Sequence, residues 1–117
     1  MLRSVRTIKL NLIQDRIDMS YKKNEGKPKW HLIDFKSLEE VVRVMEFGAK
    51  KYGDHAYKYN ELEKEELTDS MQRHLVELHD EQEQDKETGL NHAAHIAANA
   101  LMYLWKYSDY EPYESSI

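Results

Sequence analysis

Cysteine is missing from this 117-residue chain, which excludes disulfide scaffolds and thiolate metal centres. Proline occurs twice and glycine four times, too few for a β-sandwich whose turns consume both. No apolar run approaches membrane length, and Met1 to Arg16 lack a secretory-signal profile, so a cytoplasmic protein with no membrane partner is expected. Basic charge is scarce too: 17 Lys and Arg face 22 Asp and Glu, a formal charge of −5. The scarcity is local. Residues 61–87 hold eleven acids against three bases, half of all the acids, whereas residues 1–25 hold six bases and three acids. A groove for nucleic acid needs clustered cations, so no stable nucleic-acid binding is expected. Concentrated carboxylate points instead to a solvated helix or to a divalent cation.

What is present, 40% hydrophobic and 33% charged residues, suits one helix-rich domain over residues 1–117. Residues 1–25 read as an extended N-terminal arm, because Ile8, Leu10 and Leu12 alternate. Lys22 to Lys29, with Gly26 and Pro28, is loop. Ser37 and Glu40 have capping-box spacing and open a first helix, along which Leu38, Val41, Val42, Met45, Ala49 and Tyr52 repeat until Gly53. A second helix is expected from about Asn60 through Leu67, Met71, Leu75 and Leu78 into the acidic stretch, and a third from about Leu90 to Tyr107. Residues 108–117 form a loose tail. The expected fold is all-α, a bundle of three main helices. That is a thin core, so completion by oligomerisation, a dimer at least, is expected.

Three groups on these helices carry chemistry. Glu39, Arg43, Glu46 and Lys50 form a solvent-facing ion-pair strip, but Glu40 falls on another face with Val44, Phe47 and Lys51, at an interface edge or against a cation. If the second helix runs on regularly, His74, Glu81 and Asp85 lie within about 80° of its core face, with Glu77 just outside. Carboxylates stacked by turns can share a hard cation. From Thr88 to Trp105 there is no charged residue, so the third helix is buried, yet His92, His95 and Asn99 share one of its faces. Buried polar groups need partners. These three should meet His74, Glu81 or Asp85, or a ligand.

Two runs resemble a known family. Gly26-Lys27-Pro28-Lys29-Trp30-His31-Leu32, then Leu38-Glu39-Glu40 to Phe47-Gly48-Ala49-Lys50-Lys51-Tyr52-Gly53, is similar to the opening of phage and bacterial dATP/dGTP diphosphohydrolases. Arg73-His74-Leu75, then Asp85-Lys86-Glu87-Thr88-Gly89-Leu90, His92, His95 and Asn99, resembles that family's later signature. Three departures stand out: Ala56-Tyr57 where the family usually has Asn-Trp, Glu81-Gln82 where it usually has Gly-Glu, and His31 in place of an acid.

The resemblance implies a MazG-like, all-α pyrophosphohydrolase that cleaves a purine deoxynucleoside triphosphate to monophosphate and pyrophosphate. It also implies two or three Mg²⁺ or Mn²⁺ ions and, for a phage-encoded chain, a place in the host cytoplasm. Metal ligands would be Glu40, Glu81 and Asp85, with Glu77 as catalytic base or weaker ligand. Lys51 and Arg73 would meet phosphates, and His74, His92, His95, Asn99 and the ring of Trp30 would contact the nucleotide. Two other readings stand beside this one: an HD-type metal phosphohydrolase centred on His79-Asp80, and a non-catalytic acidic helical interaction or inhibitor protein.

Overall fold

The computed structural model describes residues 8–14 and 25–114, which divide into two units. The first takes in the described residues up to Ile33 and those from Glu111 onward. Where an extended arm was expected, residues 8–14 are helical; the rest of residues 1–24 lies outside the described residues. The alternation of apolar residues there is outweighed by good helix formers, with no Gly or Pro to interrupt them. Further on, Trp30–Leu32 makes a single 3₁₀ turn, closed by Ile33 N–H donating to the Trp30 carbonyl at 3.0 Å.

The second unit, Asp34–Tyr110, carries the helices. Helix α1 spans Phe35–Tyr52 and α2 Ala56–Tyr59; α3 spans Lys64–His79 and α4 His92–Tyr107. Asp34, not Ser37, caps α1: its carboxylate accepts from Lys36 N–H at 3.0 Å and from the Ser37 hydroxyl at 3.1 Å. A carboxylate at N-cap satisfies an orphan amide and complements the helix dipole, so the box expected between Ser37 and Glu40 is displaced by three residues. Gly53, at φ 97°, ends α1 as its glycine predicts.

Helix α3 stops earlier than regular continuation predicts. After His79 the chain makes a Schellman turn: Glu81 N–H donates to the Leu78 carbonyl at 3.0 Å and Gln82 N–H to the Glu77 carbonyl at 2.9 Å, with Glu81 left-handed at φ 64°. The expected stripe through Glu81 and Asp85 is therefore not formed, because neither residue is helical.

Helix α4 is the hub, packing most extensively on α3, then on α1. Its small Ala94 and Ala98 let α1 approach, so Val41 is buried against them, with Val44, Met45 and Ala97 half-buried around. Leu67 of α3 is buried at 2% exposure. The exposed strip forms around Arg43, which lies 2.9 Å from Glu46 and 3.8 Å from Glu39. With α1 and α3 both leaning on α4, a cavity of about 890 Å³ opens, lined by α1, α3 and α4.

Candidate functional site

The loop between α3 and α4 delivers the site. Asp85 N–H donates to the Leu90 carbonyl and Gly89 N–H to the Asp85 carbonyl, both at 2.8 Å, while His92 N–H donates to the Glu83 carbonyl. Gly89 at φ 72° allows that tight return. Asn91 caps α4 through its side-chain oxygen, which accepts from Ala93 N–H at 2.8 Å. Inside the loop, Asp85 Oδ1 accepts from the backbone N–H groups of Glu87 and Thr88, both at 3.0 Å. The Thr88 hydroxyl bridges Asp85 Oδ1 at 3.3 Å and His95 Nε2 at 2.7 Å. Burial pushes the Asp85 carboxyl up, but the Thr88 amide, the nearby His95 and the Glu87 amide together outweigh it and hold the group below the usual range.

Three imidazoles gather beside this carboxylate. His74 of α3 stacks on His95 of α4, ring centroids 4.5 Å apart and 13° from parallel, and its Nδ1 lies 2.7 Å from Nδ1 of His92. Burial, with the two neighbouring imidazoles adding to it, lowers the pKa of His74; burial is also the leading cause of the lowering at His95. Both rings are neutral at pH 7. His92 is buried at 1% exposure, and its Nε2 lies 2.7 Å from Glu77 Oε2, with the oxygen off the ring N–H direction. One donor atom each from His74, Asp85 and His92 lies within 4.8 Å of the others. Two imidazoles and a carboxylate at that spacing could hold a metal ion.

The expected residues distribute unevenly around this group. His74, Asp85, His95, Asn99, Lys51 and Arg73 all line the one cavity. Lys51 pairs with Glu87 at 2.9 Å, joining the end of α1 to the loop. Arg73 makes no hydrogen bond or ion pair with the described residues. The Asn99 amide donates to Ser70 Oγ at 3.0 Å. Glu77 meets the group at His92 Nε2 and also acts electrostatically on His74.

Glu40 and Glu81 are not brought to the donor group. Glu40 Oε1 accepts from Asn91 N–H at 2.7 Å, tying α1 to the start of α4, and Glu81 is exposed on the turn after α3. Trp30 belongs to the other unit and is 69% exposed. His79 and Asp80 end α3, both exposed and outside the donor group, so nothing in their placement assembles an HD-type centre. Sequence reasoning missed Thr88, whose signal was the Asp-x-x-Thr-Gly spelling of a side-chain-closed turn. In the departure Ala56-Tyr57, the Tyr57 ring meets Trp105 edge-on with centroids 6.0 Å apart.

Among the described residues, no helix is long and apolar enough to cross a membrane. Residues 19–115 match the family model described as dATP/dGTP diphosphohydrolase, N-terminal. A dATP/dGTP diphosphohydrolase of Salmonella phage PMBT28 is 40% identical over 82 residues, which are 70% of this chain and 28% of that protein. The chain thus matches well under a third of that relative's length. No solved structure matches.

Proposed function

The chain belongs to the dATP/dGTP diphosphohydrolase N-terminal family, and from that premise we propose that it hydrolyses a purine deoxynucleoside triphosphate to monophosphate and pyrophosphate with a divalent metal ion. The observation that carries the reading is the cavity itself, which sets the cations Lys51 and Arg73 beside His74 and Asp85. Its volume of about 890 Å³ suits a nucleotide.

In this reading water attacks the α-phosphorus, the bond from that phosphorus to the bridging oxygen breaks, and pyrophosphate leaves with the electron pair. A bound cation would screen the phosphates and lower the pKa of the attacking water. His74, Asp85 and His92 would hold it. Arg73, without a partner among the described residues, offers a planar fork to the phosphate oxygens, and Lys51 adds a point charge. His95, kept neutral by burial, can take the proton the water loses. With one of its two amide N–H groups given to Ser70, Asn99 keeps the other N–H and its carbonyl oxygen for a base edge. Apolar residues left exposed on α3 and α4, Leu75, Val76, Leu101, Leu104 and Trp105, support a homo-oligomer, and a monodisperse monomer by light scattering would refute that.

The deciding experiment incubates the purified chain with each (d)NTP and Mn²⁺ or Mg²⁺ and identifies the products. Monophosphate plus pyrophosphate is expected. Diphosphate plus phosphate, nucleoside plus triphosphate, or no turnover overturns the reading.

A further inference from the structure

The metal requirement can be narrowed to a kind of ion and to particular atoms. The resemblance brought Mg²⁺ or Mn²⁺ without choosing between them, and a ligand set of carboxylates, but of those carboxylates only Asp85 reaches the donor group, and the other two members are imidazoles. Mg²⁺ prefers an all-oxygen octahedron and keeps most of its waters, whereas imidazole nitrogen favours borderline first-row dications.

Two further observations concern His92, whose hydrogen bonding is closed on one ring nitrogen and not on the other. First, His92 is buried at 1% exposure, yet its Nε2 has no well-formed hydrogen bond, although Glu77 Oε2 lies only 2.7 Å away. Second, Nδ1 of His74 and Nδ1 of His92 face each other at 2.7 Å. The Glu77 carboxylate stands at Nε2, the ring nitrogen of His92 away from His74. Nδ1 of His92 is the nitrogen turned toward His74. A carboxylate, the far nitrogen of a histidine and a metal on the near nitrogen form a familiar arrangement, in which the carboxylate selects the tautomer.

His74 and Asp85 are each held from behind. The His74 ring is stacked on His95, and Asp85 Oδ1 is engaged by Glu87, Thr88 and the Thr88 hydroxyl. Those contacts fix the orientation of both side chains before any ion arrives.

We propose that His74, Asp85 and His92 form a single-ion centre that takes a borderline first-row dication such as Mn²⁺ or Co²⁺ in preference to Mg²⁺, with Glu77 as the positioning residue that orients His92. This deepens the hydrolase reading by naming the ion its site takes, but it is tested without nucleotide. The chelator-stripped chain is dialysed against Mn²⁺, Co²⁺ or Mg²⁺ and the bound ion counted; the Mn²⁺ form is then examined by electron spin-echo spectroscopy for nitrogen coupling.

One Mn²⁺ per chain, coupling from histidine nitrogen and at least about tenfold weaker Mg²⁺ binding are expected. Glu77→Gln should weaken Mn²⁺ binding about 10- to 100-fold while the circular dichroism spectrum is unchanged. His74→Ala should abolish the nitrogen coupling or reduce it to that of one ring. Because the nitrogen coupling is read on the unaltered chain, a variant that fails to fold does not shield the proposal. Oxygen-only coordination, no bound ion, or equal affinity for Mg²⁺ overturns it. Nitrogen-ligated Mn²⁺ without nucleotide turnover would sink the hydrolase reading alone, and turnover with oxygen-ligated Mg²⁺ would sink this inference alone.

Discussion

Replacing Glu81 with glycine should make the protein more stable, and the reason lies in one turn. Glu81 occupies the left-handed position that closes the Schellman motif at the end of α3, at φ 64°. Left-handed backbone costs a residue with a Cβ about 1–2 kcal/mol, whereas glycine adopts it freely. Glycine in turn widens the unfolded ensemble, which takes back about 0.4–1 kcal/mol. The side chain contributes little against this, because it is exposed and makes no hydrogen bond or ion pair with the described residues. A negative charge at a helix C-terminus also opposes the dipole. Glu81→Gly should therefore stabilise by about 0.5–1 kcal/mol, raising Tm by about 4 °C for a domain of this size. The assay is a thermal melt in chelator, with Glu81→Ala as the control that removes the carboxylate and keeps the strain. The same two variants should bind Mn²⁺ as the parent does. A lower Tm for the glycine variant would refute the account of the turn, and lost Mn²⁺ in both variants would restore Glu81 as a ligand.

Glu40→Ala removes the acceptor of the Asn91 amide and should lower stability by about 0.5–1.5 kcal/mol in urea titrations, with Mn²⁺ affinity unchanged. Asp85→Asn should abolish nucleotide turnover and Mn²⁺ binding. It should also destabilise the fold by about 1 kcal/mol, since the charge-assisted bonds from Glu87 and Thr88 weaken. Arg73→Ala should cut kcat/KM at least tenfold, equivalent to about 1.4 kcal/mol, with an unchanged melting curve. In chelator, acid should weaken the fold in a defined window. His74 and His95 have pKa values below the ordinary 6.5, so below about pH 6.5 the unfolded chain binds more protons than the folded one, and stability falls until the folded rings also protonate. The urea midpoint should be lower at pH 5.5 than at pH 7.5, and an equal midpoint would refute the burial assigned to those rings.

Much of this molecule was decided locally. The uncharged run from Thr88 to Trp105 reads as a buried helix; the helix forms from His92, buried at His92, Ala94 and Ala98 where its alanines set the close approach of α1, but with Leu101, Leu104 and Trp105 left exposed. A face carrying His92, His95 and Asn99 on such a helix had to find polar partners, and it found His74, Thr88 and Ser70. Helical periodicity was enough for this, because inside a regular helix a residue's direction follows from its number. It ceased to be enough where the helix stopped. Counting 100° per residue past His79 placed Glu81 and Asp85 on one stripe. The Schellman turn discards that count, turning Glu81 outward while hydrogen bonds to Leu90 and Gly89 fold Asp85 back to the imidazoles. Tertiary structure alone also decided the role of Glu40, whose partner amide lies 51 residues along the chain. Spacing records which side chains can share a face within one element; which elements then meet depends on where each helix ends and how the loop closes.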